Sequence, residues 1–357
     1  MKIAFFGSSI LSAYWNGAAT YYRGMVRALN RMGHSITFYE PDAFDRQAHL
    51  DLDSPDWVNV VVYPNVSSAA LQQVESAGDA DWVIKASGVG VFDDLLEMAV
   101  LEMRRSSQIV SFWDVDAPAT LDRVQSQPDE PFGKLIPRFD LVLTYGGGKP
   151  VIDAYKKCGA KECYPIYNGF DPDTHHPVRS DQNFLADLSF LGNRLPDREA
   201  RVEEFFFKPA VALPDKRFLL AGNGWGDKPK PENVNYLGHL FSSAHNSFNS
   251  SPLAVLNVNR QSMAKYGFSP ATRLFEAAGA GACMISDRWV GIEDFFEPGK
   301  EILIVNDGEE VAERVRTLTT EKARTIGQAA YRRAQHQHTY AHRAKTLEII
   351  LKSTFGK

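Results

Sequence analysis

Apolar residues in this chain come in short unbroken runs, and stretches of mixed polarity separate them. The first half carries six such runs: KIAFFG, SITFYE, VNVVVYP, DWVIKAS, QIVSFWDV and DLVLTYG. Each precedes helical or turn sequence, and GAATYYRGMVRALNRMGH between the first two reads as an amphipathic helix ending near Gly33. Continuous apolar runs, as opposed to alternating ones, mark strands covered on both faces. Strands alternating with helices predict a parallel sheet with helices on each side.

After residue 180 the same rhythm begins again. LADLSFLG, RFLLAGNG, VNYLG, LAVLNVNR, ACMISD and EILIVN read as a second strand set, and a helical tail follows from about Glu309 to Leu351. The polar, turn-rich stretch Tyr167 to Asn183 separates the sets. The predicted organisation is therefore residues 1–168 as one Rossmann-like domain and 169–183 as linker. Residues 184–335 form a second such domain, and 336–357 a terminal helix packing back on the first. Doubly wound domains bind ligands beyond the carboxyl ends of their strands, so two of them facing across a cleft predict site residues just after strands.

Composition narrows the function classes. The chain has 357 residues, 44% hydrophobic and 23% charged, with a net charge of −5. That balance gives no bulk attraction to nucleic acid or to an anionic membrane. No apolar run reaches the ~20 residues of a spanning helix. MKIAFFGSSI reads as a first core strand rather than a leader. The 3 cysteines make no disulfide or zinc framework. The expectation is reduced thiols in a cytoplasmic protein, with Cys283 a small buried strand residue.

Two charges stand out in GFSPATRLFEAAGAGACMISD. Ser269-Pro270 is a helix start, with serine as cap and proline in the first turn. The free N–H groups of that start attract an anion. Arg273, in the first turn, adds a guanidinium for phosphate. Glu276, one turn on, is suited to two vicinal hydroxyls because a carboxylate accepts two hydrogen bonds at once. The alternative is a plain (i, i+3) surface ion pair.

Other candidates follow strands. Gly192, Asn193 and Arg194 end LGNR, where glycine admits a close backbone approach and the next two residues supply donors. Gly238, His239 and Leu240 end NYLGHL, where backbone groups can flank a flat base. In the first half, Ser9 to Asn16 follow the first strand, Lys85 to Ser87 the fourth, and Gly146 to Gly148 (centred on Gly147) the sixth. FWDVDAP places Asp114 and Asp116 at a strand end. Such carboxylates serve as a general base, or hold a divalent metal, or simply cap the helix after Pro118. His336, His338 and His342 in the tail read as docked or solvated, not as metal ligands. There is no GxGxxG, which argues against a dinucleotide-binding dehydrogenase.

Taken together, these stretches resemble the GT-B glycosyltransferases of the glycosyl transferase group 1 type, and within them the CgeB-like branch. NGFDPDTHHP is similar to the linker of those chains, and SPATRLFEAAGAGACMISDRWVGIEDFFEPGKEILIVND to their donor-site helix, turn and strand. LGNRLPDR, LGHLF, LNVNR, HTYAHRA, GHSITFYE, KASGVGVFD, FWDVDAP and TYGGGKP extend the likeness over nearly the whole chain.

The resemblance implies two Rossmann-like domains, a nucleoside-diphosphate sugar as donor, an acceptor hydroxyl, and neither cofactor nor metal. It implies ribose binding by Glu276 and diphosphate binding by Ser269 to Arg273, helped by Arg194 and Lys265. The base would lie by Gly238 to Leu240. Acceptor contacts would come from Ser9, Asn16, Lys85, Ser87, Gly147 and the Asp114–Asp116 pair, with Asp116 the base if the reaction inverts. Many relatives carry a second glutamate eight residues before the first, where this chain has Phe268. That departure keeps two rivals open: an inactive binding or assembly protein, and a nucleotide-sugar epimerase. The acceptor and the oligomeric state are not written in the sequence.

Overall fold

The computed structural model describes residues 1–357 except Ser54, Pro128 and Lys357. The chain divides into two compact units. One comprises Met1–Tyr167 with Arg343–Lys357, the other Asn168–His342.

The first unit holds seven strands: β1 Lys2–Phe6, β2 Ser35–Pro41, β3 Asn59–Tyr63, β4 Trp82–Ala86, β5 Ile109–Asp114, β6 Leu141–Thr144 and β7 Cys163–Pro165. All are parallel, in the order β3-β2-β1-β4-β5-β6-β7. The chain winds outward from β1 through β2 to β3, then returns to add β4 on the other side. The direction of winding thus reverses between β1 and β4. Six of the strands are the six apolar runs of the sequence. The seventh, β7, is three residues long and ends in proline, too short to carry a readable pattern. The tail helix Tyr340–Phe355 contributes its residues from Arg343 onward to this unit, where His34 Nε2 meets Glu348 at 3.2 Å.

The second unit holds β8 Leu188–Leu191, β9 Phe218–Ala221, β10 Val234–Tyr236, β11 Ala254–Asn257, β12 Met284–Asp287 and β13 Leu303–Val305. They too are all parallel, in the order β10-β9-β8-β11-β12-β13. Here the winding reverses between β8 and β11. Side chains alternate across the sheet. Leu188, Phe190, Phe218 and Leu220 join the main core with Phe206 and Trp225, while Leu219 and Ala221 pack with Phe248 on the opposite face. Fully burying each such side chain contributes about 1.5–3 kcal/mol, so both faces must be covered, as the unbroken apolar runs required.

Two local expectations change. The helical tail is three helices, Gly308–Thr317, Thr320–Gln337 and Tyr340–Phe355. The helix after the Ser269-Pro270 pair begins at Thr272, with Ala271 as its cap residue and no side-chain cap. Ser269 donates its hydroxyl to Gly267 O at 2.9 Å instead, and its own carbonyl accepts from Asn259 Nδ2 at 3.0 Å. The cause lies just upstream. Gly267 and Phe268 both take left-handed backbone angles, φ 73° and 46°, and Phe268 N donates to Val290 O. That turn leaves Ser269 outside the helix.

A buried charge cluster in the first unit gives a stability prediction. Lys85 is fully buried on β4, and its Nζ binds Asp93 at 2.6 Å and stands 3.9 Å from Glu97. Burial pushes Glu97 up to about 7, reinforced by Asp93 and opposed by Lys85. A carboxyl whose folded pKa exceeds its unfolded one favours folding when protonated. Its contribution is complete below about 4.5 and is lost as pH rises through about 7. Glu97→Gln should therefore flatten melting temperature against pH in that window and be more stable than the wild type at pH ~8, by on the order of 3 kcal/mol. Parallel melting curves for the two proteins would count against this assignment.

Candidate functional site

In the second unit, the carboxyl ends of β8 and β11 flank the point where the winding reverses. Strands diverge there, and their free ends leave a crevice for ligand. Five loops gather at this end of the sheet, after β8, β9, β10, β11 and β12.

Gly192 follows β8, and its missing side chain is what the crevice turns on. A Cβ there would stand 3.0 Å from Arg273 Nη2 and 3.1 Å from Arg198 Nη1. Two guanidinium groups from two different helices therefore converge on one glycine. Arg198 comes from the first turn of the helix Pro196–Val202, is buried, and donates to Asn193 O at 3.1 Å. Arg273 reaches back from the helix Thr272–Gly279. Its Nε donates to Leu191 O, and its Nη1 lies 3.4 Å from Asn257 Oδ1 and 3.5 Å from Val258 O. It thus spans the ends of β8 and β11. Its Cζ rests 5.3 Å over the Phe190 ring.

No carboxylate forms an ion pair with Arg273 among the described residues. Burial pulls its guanidinium down to about 10, with Glu276 and Asp287 working against the shift. It is still protonated at neutral pH. A desolvated cation held by carbonyl groups alone is short of a counter-charge, so the place suits an anion.

Gly222 supports the same crevice from β9. Its φ is +122°, and a Cβ there would stand 2.3 Å from Gly192 O. The Gly192 carbonyl also accepts from Trp225 Nε1 at 2.7 Å. Asn193 Oδ1 accepts from Asn223 N at 2.9 Å, which ties the β8 and β9 loops together. Gly222 N in turn donates to Gly238 O at 2.8 Å, joining the β10 loop. His239 stacks edge-on against exposed Phe241, and its Nδ1 is 3.5 Å from Asn223 Nδ2. Leu240 packs with Leu219, Ala221 and Phe248. On the β12 side, Asp287 is buried against Arg201 and accepts from Asn259 N at 3.2 Å.

Glu276 sits one turn beyond Arg273 on the same helix. It is 6% exposed, and no hydrogen bond reaches its Oε1 among the described residues. His175 Nε2 stands 3.7 Å from that oxygen. With Glu276 buried, Arg273 half-buried and no ion pair between them, the surface-pair alternative for these two residues does not describe this helix.

The remaining candidates stand apart from the Arg198–Arg273 pair. Arg194 is engaged by Glu199 at 2.8 Å and Asp227 at 3.0 Å. Lys265 is exposed on the helix Gln261–Tyr266. Ser269 is buried in the Gly267 turn described above.

In the first unit, the predicted acceptor-side residues are bound into the loops themselves. Ser9 Oγ donates to Glu40 at 2.9 Å, and Asn16 Nδ2 to Ser9 O at 2.8 Å and Ser12 O at 3.0 Å. Lys85 is fully buried. Its partner Asp93 also holds the amides of Val89 and Gly90, so Lys85 braces this loop rather than reaching solvent. Ser87 Oγ donates to Asp114 at 2.7 Å. Gly147 turns with φ +90° into the helix Gly148–Lys157.

Asp114 is fully buried and accepts from Ser87, Thr120, Tyr155 and the amide of Asp116. Burial pushes its carboxyl upward, and these donors oppose the shift. Such a carboxylate is a structural hub with no face left for substrate. Asp116 is only partly buried, and its carbonyl accepts from Ala119 N at 3.0 Å as the next helix begins.

Comparison with known proteins bears on the fold and on part of the sequence. Residues 198–349 match the family model described as glycosyl transferase-like. Over the whole fold, an alpha-glucosyltransferase solved with UDP and a 13-mer DNA containing a HMU base is 14% identical, with a TM-score of 0.73 over 99% of both chains. The fold is GT-B. The Anabaena HepE protein, solved with UDP and glucose, is 16% identical with a TM-score of 0.69, over 99% of this chain and 100% of that one. Sucrose-phosphate synthase from Thermosynechococcus elongatus is 13% identical with a TM-score of 0.69, over 100% and 99%. No curated protein sequence matches the chain. No helix among the described residues is long and apolar enough to cross a membrane.

Sequence reasoning missed Arg198, His175 and His245. Arg198 lay in DREAR, which reads as an ordinary charged helix start. Only the fold brings it to Gly192.

Proposed function

We propose that this protein is a glycosyltransferase of the CgeB-like branch that moves a sugar from a UDP-sugar to an acceptor hydroxyl. The observation that carries the reading is the convergence of Arg198 and Arg273 on Gly192 where the second sheet reverses its winding. Support also comes from the glycosyl transferase-like match over residues 198–349 and from structural neighbours solved with UDP-glucose, HepE and T4 phage BGT among them.

On this reading the diphosphate lies against Arg198 and Arg273. The acceptor oxygen bonds to the anomeric carbon as the bond from that carbon to the β-phosphate oxygen breaks, and UDP leaves with the electron pair. Charge grows on the leaving phosphate, and two guanidinium groups already in place meet it without reorganisation, in the absence of a metal. Glu276 takes the ribose hydroxyls, and the Gly238–Leu240 loop flanks the base. The acceptor belongs to the first unit. Asp116, half-buried where Asp114 is sealed, is the carboxylate that accepts the acceptor's proton in an inverting reaction.

The test is a thermal-shift panel of UDP, GDP and TDP and their glucose conjugates, followed by assay of free nucleotide. A ligand at ~100 times its dissociation constant adds about 2.7 kcal/mol of stability. UDP and UDP-glucose should each raise the melting temperature by several degrees, with slow release of UDP from the sugar nucleotide. The absence of any nucleotide-dependent shift would overturn the proposal. Binding without release of UDP in the presence of an acceptor panel would mark a binding protein instead.

A further inference from the structure

We propose that His175, His245 and Glu276 form a site for a divalent transition metal of the zinc class. The three come from separate places: the segment after Asn168, the helix His245–Ser250 and the helix Thr272–Gly279. One ligand atom from each lies within 4.8 Å of the other two. All three belong to the second unit.

The spacing argues for a metal over a hydrogen bond. His175 Nε2 and Glu276 Oε1 are 3.7 Å apart, too far for an N–H to donate. Around a tetrahedral ion with bonds of about 2.0–2.2 Å, neighbouring ligand atoms stand on the order of 3.4 Å apart. Oε1 is a buried carboxylate oxygen that receives no hydrogen bond, and it faces the imidazole. A buried anion in that state is costly unless a cation completes it.

The surroundings of both histidines fit. His175 Nδ1 is 3.0 Å from Thr174 Oγ1. With Nδ1–H donating to that hydroxyl, Nε2 keeps its lone pair toward Glu276. His245 Nε2 lies 3.4 Å from Leu240 O, so a carbonyl can hold one nitrogen of that ring while the other binds. Ligating histidines are commonly oriented in this way through their second nitrogen. Two imidazoles and one carboxylate suit Zn(II) and its neighbours better than Mg(II) or Ca(II), which prefer oxygen ligands throughout. A site with three protein ligands keeps a fourth position for water.

The site goes beyond the proposed transfer reaction, which uses no metal. It bears on that reaction only through Glu276, whose carboxylate a bound ion would fix in place.

The experiment uses the full chain, stripped with chelator and titrated with Co(II), then with Zn(II) in competition. One equivalent of Co(II) should bind with the visible absorption of a low-coordinate nitrogen–oxygen site, and Zn(II) should displace it. His175→Ala and His245→Ala should each weaken the metal at least ~100-fold while keeping a cooperative melt. If either variant fails to melt cooperatively, the corresponding His→Gln variant is titrated in its place. Binding well below one equivalent, or binding unchanged in both histidine variants, would overturn the inference. UDP binding is measured separately on the metal-free protein, so failure of the metal site and failure of the transferase reading give different results.

Discussion

Arg273→Met should weaken UDP binding by about 10- to 200-fold and also lower the melting temperature of the ligand-free protein. The first effect is the loss of a charge-assisted contact to the diphosphate, worth about 1.5–3 kcal/mol. The second follows from the carbonyl group of Leu191, which accepts from Arg273 Nε and would be left without that donor. Methionine fills similar volume over Phe190, so packing loss stays small. Arg198→Met is the companion variant, because its guanidinium reaches the same glycine from another helix. UDP should be affected by either change and uridine by neither, since only UDP carries phosphate. Isothermal titration with both ligands separates the two. Equal losses for UDP and uridine would mean a collapsed site and would remove the diphosphate assignment.

Much of the fold was legible because its strands are short, apolar on both faces and separated by amphipathic helices. Twelve of the runs predicted from pattern alone correspond to strands. β7 escaped because three residues ending in proline carry no period. The helix that carries Arg273 and Glu276 was placed correctly, but its start was not. Ser269-Pro270 has the residues of a helix cap, yet the left-handed pair Gly267-Phe268 redirects the chain before the helix begins. Local sequence favours a cap there, and the contact of Phe268 N with Val290 O, which is long-range in sequence, decides otherwise.

The arrangement proposed as the site was legible at Gly192, which follows a strand, and at Arg273 and Glu276, charges set one turn apart in an apolar helix. It was not where a charged residue looks useful but finds a partner. Arg194 is paired with Glu199 and Asp227, and Lys85 with Asp93. Pairing of this kind depends on which loops become neighbours, and a linear pattern does not encode that. Asp114 and Asp116 show the same limit two residues apart. One points into the unit as a four-donor hub and the other stays partly open, although the sequence treats them alike.

Phe268 has a structural role of its own. Its ring occupies the space beside Gly291, where a Cβ would stand 2.2 Å from the ring, and its backbone holds a left-handed turn. A non-glycine residue in that conformation costs of order 1–3 kcal/mol and persists only when its surroundings enforce it. Here the residue anchors the turn that precedes the Arg273 helix.

Glu276→Ala is the second large-effect prediction, and its sign on stability is opposite to that of Arg273→Met. The wild-type carboxylate is enclosed, and its Oε1 receives no hydrogen bond. An unsatisfied buried acceptor costs about 1–3 kcal/mol. Removing it from metal-free protein should leave the melting temperature unchanged or raise it, even though a cavity of a few methylenes is created. UDP affinity should nevertheless fall about 100-fold, because two hydrogen bonds to a charged acceptor are lost together. The decisive measurement compares UDP with 2′,3′-dideoxy-UDP on both proteins. Wild type should prefer UDP strongly, and the variant should bind the two alike. If the preference for UDP survives in Glu276→Ala, some other group reads the ribose, and Glu276 belongs to the histidine cluster alone.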